Sequence, residues 1–245
     1  MAQQSVWLEN HTWIEAEQLF QKYKLILIPL GARTKEHGPH LPLNNDWILA
    51  EYLTKRVAEK IPAIILPTIQ YGYYPSFTEY PGSVTLSLET SKQMIKETCL
   101  TLNNYGVKKF YVLNTGISTI RALEPAKQEL EAHGITMNYT DIREAEKQST
   151  IRLSQEGGTH ADESETSMML YIKPEIVDMK KAVKDYHPLT GSGLTRDPEN
   201  KTAGVYSKTG IYGDPTLATV EKGEAIVEAL VKHILDDINE LQKKG

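Results

Sequence analysis

The chain has 245 residues, 40% of them apolar and 24% charged, with a formal net charge of −5. That length supports a sizeable core, and no composition shift or internal repeat divides it, so 1–245 reads as one domain. The acidic balance argues against nucleic acid or an anionic membrane as partner, and no apolar run approaches the ~20 residues that a bilayer span needs. The N-terminus lacks the basic-then-apolar pattern of a signal peptide, so a cytoplasmic location is expected. The lone cysteine, Cys99, excludes an internal disulfide and a Cys-based zinc cluster.

In chain order, Trp13, Ile14, Ala16, Leu19 and Phe20 have helical spacing over 12–23, with Thr12 as a cap. Trp7 and Trp13 read as core or subunit-contact aromatics rather than ligand stackers. An apolar run over 24–30 predicts a buried strand, and a helix over 46–61 follows, ended by Pro62. Residues 63–67 form a second strand. A long loop over 71–84, rich in Tyr, Pro and Gly, reads as a substrate-pocket wall or a partner contact. A helix over 88–105, a strand over 110–114, a helix over 119–133 and a strand over 135–140 come next. Strands alternating with helices argue for a three-layer α/β/α fold with a mostly parallel central sheet. Residues 141–157 are charged and predict an exposed excursion, 185–214 predict a long irregular segment, and a last helix is expected at about 216–243.

Two stretches carry chemistry. The first, between the strand at 24–30 and the following helix, gathers Glu36, His37, His40 and Asp46 around Gly38, Pro39 and Pro42. These are the N and O donors that Zn and Mn favour, on a loop where open parallel sheets bind ligands. The plainer alternative is a polar connection with Asp46 as an N-cap. The second stretch is Gly157-Gly158-Thr159-His160-Ala161-Asp162-Glu163-Ser164-Glu165, where two glycines bring the chain tightly to His160 and a helix start follows. Its acidic residues could equally be a solvated first turn complementing the helix dipole.

The segment Lys35-Glu36-His37-Gly38-Pro39-His40-Leu41-Pro42-Leu43-Asn44-Asn45-Asp46 resembles the signature of the creatininase (creatinine amidohydrolase) family, and 160–167 resembles that family's second motif. Gly213-Asp214-Pro215, Ala218-Thr219 and Gly223 resemble its carboxyl-terminal elements. The resemblance implies a creatininase-like fold and a two-metal centre. His37, Asp46 and Glu165 would be metal ligands there, and Glu36 would swing in as a further one. His160 would be the catalytic residue beside the substrate. The loop with Tyr71, Tyr73 and Ser83 resembles the family's Tyr-Gly turn and Pro-Gly-Thr element, with Ser83 where Thr is usual, and these residues would line the substrate pocket. It also implies a ring-shaped homo-oligomer, often a hexamer.

Two departures stand out. Lys35 holds the place of a ligand Glu and, being repelled by a dication, is expected to point to solvent. Gly116 falls where many members carry a ligand His, so one metal position lacks a ligand. The expected cofactor is a divalent ion, Zn at the first position, with a second position for Zn, Mn or Mg that is vacant, weak or completed by water. The reading that follows is a metal-dependent hydrolase of a non-peptide C–N bond, a cyclic amide or a formamide of a small molecule. Creatinine is disfavoured, since Trp7, Trp13 and Trp47 all lie outside the later loops. The alternatives are a metal-stabilised oligomeric binding protein without turnover and a metal-dependent phosphoesterase.

Overall fold

The computed structural model describes residues 4–188, 193–199 and 204–243. Five parallel strands form one sheet: β1 (Val6–Trp7), β2 (Leu25–Leu30), β3 (Ile64–Ile65), β4 (Lys109–Asn114) and β5 (Thr136–Tyr139). Their spatial order is β1-β3-β2-β4-β5. The two-residue β1, too short to carry a periodic signal, was not foreseen. The chain leaves β2 toward β3 on one side and returns to β4 on the other, so the loops after β2 and β4 part company and open a crevice at their carboxyl ends.

All six residues of β2 are buried because both sheet faces are covered. Leu25 and Leu27 point to one face, where they meet α2 (Asn45–Ala58), α6 (Glu163–Ile172) and α7 (Val220–Lys243). Ile26, Ile28 and Leu30 point to the other face and meet α1 (Trp13–Lys22), α3 (Leu88–Asn103) and α4 (Ile120–Glu131). The period-two alternation of β2 thus builds both cores, and the three-layer α/β/α arrangement is as expected. Helix α1 opens with a capping box, Thr12 with Glu15. Trp7 packs at the edge of the first core, whereas Trp13 stands 77% exposed.

Two segments differ from expectation. The stretch 141–157 is not wholly an exposed excursion. It begins with α5 (Ile142–Glu146), whose Ile142 and Ala145 are buried in the core that α7 covers. One turn with only two apolar residues is outweighed in the sequence by the charges around it. Within 185–214, β6 (Leu194–Thr195) and β7 (Val205–Tyr206) pair in parallel. Leu194 and Val205 pack with Tyr74, Phe77, Tyr80 and Tyr212 into a third apolar cluster that roofs the crevice. The last helix begins at Val220, after a short 3-10 turn at Pro215–Leu217.

Helix α5 also brings Glu146 against Ser164, whose hydroxyl donates to Glu146 Oε1 at 2.8 Å. Burial, reinforced by the nearby Asp162 carboxylate, pushes the Glu146 carboxyl up to about 8. The unfolded chain releases this proton near pH 4.5, whereas the folded chain keeps it to about pH 8. Native stability is therefore lost as pH rises between those values, at up to roughly 1.4 kcal/mol per pH unit for this one group. Glu146→Gln keeps the acceptor and removes that slope. Denaturant unfolding should show the variant close to wild type at pH 4.5 and more stable than wild type at pH 8.

Candidate metal centre

The loop from Gly31 to α2 is drawn tightly over the end of β2. A Cβ on Gly31 would lie 2.4 Å from the Asp46 carbonyl oxygen, so only glycine lets the first turn of α2 dock there. Thr115, directly after β4, donates its hydroxyl to that same carbonyl at 3.0 Å and to Leu30 at 3.2 Å. Asp46 is thereby tied to the ends of both central strands and is 1% exposed. Its place in the first turn of α2 also suits a carboxylate.

His37, fully buried, has Nδ1 2.9 Å from the Lys35 carbonyl oxygen, which only accepts, so Nδ1 carries the proton. Nε2 faces Asp46 Oδ1, 2.8 Å away. Two lone pairs that close repel unless a cation lies with them, either a proton on Nε2 or a metal ion. A ligating imidazole commonly fixes its other N–H on a backbone carbonyl in this way. The donor set therefore fits a divalent ion.

The second motif arrives from 124 residues away. His160 lies just outside α6. It is pinned by paired backbone bonds with Tyr212, and Ala161 takes a left-handed φ of 48° so that its N–H reaches the Glu165 carboxylate. Asp162 caps α6 by accepting from the Ser164 and Glu165 N–H groups. His160 Nε2–H donates to Glu36 Oε2 at 3.0 Å, leaving Nδ1 facing Glu165 Oε2 at 3.7 Å. Ligand atoms of His37, His160 and Glu165 all fall within 4.8 Å of one another. Glu36 thus lies on His160 and on the Gly38 N–H, against the bare backbone of Gly210, rather than on the His37–Asp46 pair.

The structure overturns one expectation outright. Lys35 does not point to solvent: it is 5% exposed, and its Nζ lies 2.6 Å from Asp46 Oδ2. Burial opposes the ammonium, but the charges of Asp46, Glu165 and Glu36 outweigh it and raise the Lys35 pKa. Burial likewise disfavours the Asp46 carboxylate, yet Lys35 and then His37 hold its pKa far below the usual range. For His160, burial is overcome by Glu36, which raises the imidazole's pKa. The Phe77 ring, unremarked in the sequence, covers His160 at a centroid distance of 4.3 Å.

Elsewhere, His40 turns away to α6, its Nε2 2.8 Å from the Thr166 hydroxyl, and burial pulls its pKa down to about 4. Ser83 accepts the Glu36 N–H at 2.9 Å. Tyr71 borders an open cleft of about 540 Å³ with Arg33, Thr34, Leu43, Asn44 and Gln70. The Tyr73 carbonyl accepts the Ser118 hydroxyl. The Gly116 loop closes on itself through Asn114 and Thr119. A Cβ at Gly116 would meet Thr119 at 3.0 Å and Tyr74 at 3.4 Å, so no longer side chain fits there without rearrangement.

The creatinine amidohydrolase family model matches residues 9–238. The chain belongs to the creatininase family. It is 29% identical to the creatinine amidohydrolase of Pseudomonas putida, over 96% of this chain and 97% of that one. It is 26% identical to the mycofactocin precursor peptide peptidase of Mycolicibacterium smegmatis, over 93% and 89% respectively. Its fold superposes on a creatininase point mutant of Zn-Zn type with a TM-score of 0.77 and 26% identity, covering 96% of this chain and 98% of that one. Membership brings with it the chemical class, metal-dependent hydrolysis of a C–N amide bond.

Removing the Asp46 carboxylate strands a buried ammonium. Asp46→Ala is therefore expected to destabilise the metal-free protein by about 3–5 kcal/mol, with much of the loss recovered in Lys35→Met/Asp46→Ala. Urea unfolding of the single and double variants checks this.

Proposed function

We propose that this hydrolase acts on a non-peptide C–N bond of a small molecule, a cyclic amide or a formamide, with a divalent ion held by His37, Asp46 and Glu165. The observation that carries the proposal is the buried His37 ring, its Nδ1 committed to a backbone carbonyl and its Nε2 set against the Asp46 carboxylate where a cation must lie between them. When bound, such an ion polarises a substrate carbonyl and lowers the pKa of water toward ~7. Zn suits the mixed imidazole and carboxylate set.

His160 is the proton-transfer residue in this reading. Glu36 holds its Nε2–H and fixes the ring, leaving Nδ1 on the Glu165 side to pass a proton toward the leaving nitrogen. This gives Glu36 a positioning role in place of the ligand role its motif suggests. The tight enclosure supports a small substrate over a chain: His37 is fully buried, His160 is 5% exposed, and Phe77 lies over the His160 ring. Tyr71, Tyr73 and Ser83 are assigned to the pocket wall, Ser83 through its bond to the Glu36 backbone.

We further place the protein in the cytoplasm as a homo-oligomer, a hexamer, without nucleic acid or membrane partners. No helix among the described residues is long and apolar enough to cross a membrane. Trp13 and Ile14, 77% and 53% exposed on α1, offer apolar surface for contact between copies.

Purified protein should carry a divalent ion, and chelation should abolish hydrolysis across a panel of formamides and cyclic amides, with phosphoesters untouched. His160→Ala should retain the ion by elemental analysis while kcat falls by about 10²–10⁴. Loss of the ion in that variant would make His160 a ligand instead.

A further inference from the structure

The ammonium of Lys35 lies inside the cluster that the proposed function assigns to metal. Its Nζ is 2.6 Å from Asp46 Oδ2, the oxygen opposite the one that faces His37. Aromatic faces complete its enclosure, Phe77 at 4.9 Å and Tyr74 at 5.7 Å from ring centroid to Nζ. A cation so placed is attracted both by the carboxylate and by the ring quadrupoles.

We propose that Lys35 is a built-in cation standing where a second divalent ion would sit, so that this centre takes one divalent ion per chain. The inference rests on His37, Asp46 and Glu165 being the ligands of that one ion.

Three observations support it. The first is charge. Glu36 is paired with His160, so Asp46 and Glu165 are the carboxylates left to an ion, and Lys35 already lies on one of them. One divalent ion comes close to balancing this group, whereas two such ions beside Lys35 would leave a far larger positive excess among buried residues, where unpaired charge is costly. The second is space. The loop after β4 is closed by its own hydrogen bonds, and Tyr74 stands within 3.4 Å of where a Gly116 Cβ would be, so that loop sends no ligand to the Lys35 side of Asp46. The third is ligation. Lysine's ammonium has three donors and no lone pair, so it holds Asp46 Oδ2 without binding a metal itself.

The test uses the full chain, stripped with a chelator and reloaded with Mn²⁺, with bound metal counted by elemental analysis and the Mn²⁺ electron paramagnetic resonance spectrum recorded. Wild type is expected to hold one ion per chain with the spectrum of an isolated ion. Lys35→Glu replaces the cation by a ligand and is expected to hold two ions per chain with an exchange-coupled spectrum. Lys35→Gln, neutral and less disruptive, is expected to bind a second ion at least tenfold more tightly than wild type. Two ions per wild-type chain would overturn the proposal, as would a single ion in wild type and both variants. No ion in wild type would instead overturn the assignment of His37, Asp46 and Glu165 as ligands, on which the inference rests.

Discussion

Both oxygens of the buried Asp46 face charged or polar groups: Oδ1 faces His37 at 2.8 Å and Oδ2 faces Lys35 at 2.6 Å. In that setting a carboxylate is tolerated only while its charge is matched, and the surrounding structure follows from that need. Gly31 gives up its side chain so that α2 can set Asp46 against the strand ends. Thr115 spends its hydroxyl on the Asp46 backbone. The loop between β2 and α2 turns through Gly38 at a φ of 70° to bring His37 and Lys35 to opposite sides of one carboxylate. Stability and chemistry share the same atoms here, so a substitution at Asp46 reads out on both.

The second half of the centre is held differently. His160 is not on a strand or a helix but on a strained step before α6, stitched to Tyr212 by backbone bonds and fixed by Glu36. Glu36 belongs to the first loop and His160 to the second motif, so their contact joins the two halves directly. The roof cluster, with Tyr74, Phe77 and Tyr80 packed against Leu194 and Val205, keeps water from the pair. A low local dielectric strengthens each of these ion pairs and makes each unpaired group costly. The long aromatic loop over 71–84 serves the centre in this way, by sealing it.

The creatininase family spans relatives described as acting on creatinine and on a precursor peptide. Among relatives that share a fold, such breadth comes from the loops around a constant strand-end scaffold. In this chain His37, His160 and Glu165 bring their ligand atoms within 4.8 Å of one another, and Asp46 faces His37. Lys35, the closed Gly116 turn and the roof are all features of its loops.

Several features were legible in the amino-acid order because they depend on near neighbours. The unbroken apolar run of β2 dictated a strand buried on both faces, Thr12 marked the start of α1, and Asp162 the start of α6. The two motifs, each a local run, marked His37, Asp46, His160 and Glu165. What the sequence did not contain is the balance of charges that come from far apart. Read in its own loop, Lys35 is a solvated lysine repelled by metal, because the burial that turns it onto Asp46, and the Glu165 carboxylate that joins Asp46 and Glu36 in outweighing the burial penalty, come only when α6 packs against α2 and α7. Glu36 reads as a ligand until the chain 124 residues later delivers His160 to it. Local pattern picked out the candidate residues. Only the tertiary structure decided which of them face one another, because electrostatic partners in a parallel sheet protein are chosen by strand order and helix packing rather than by spacing along the chain.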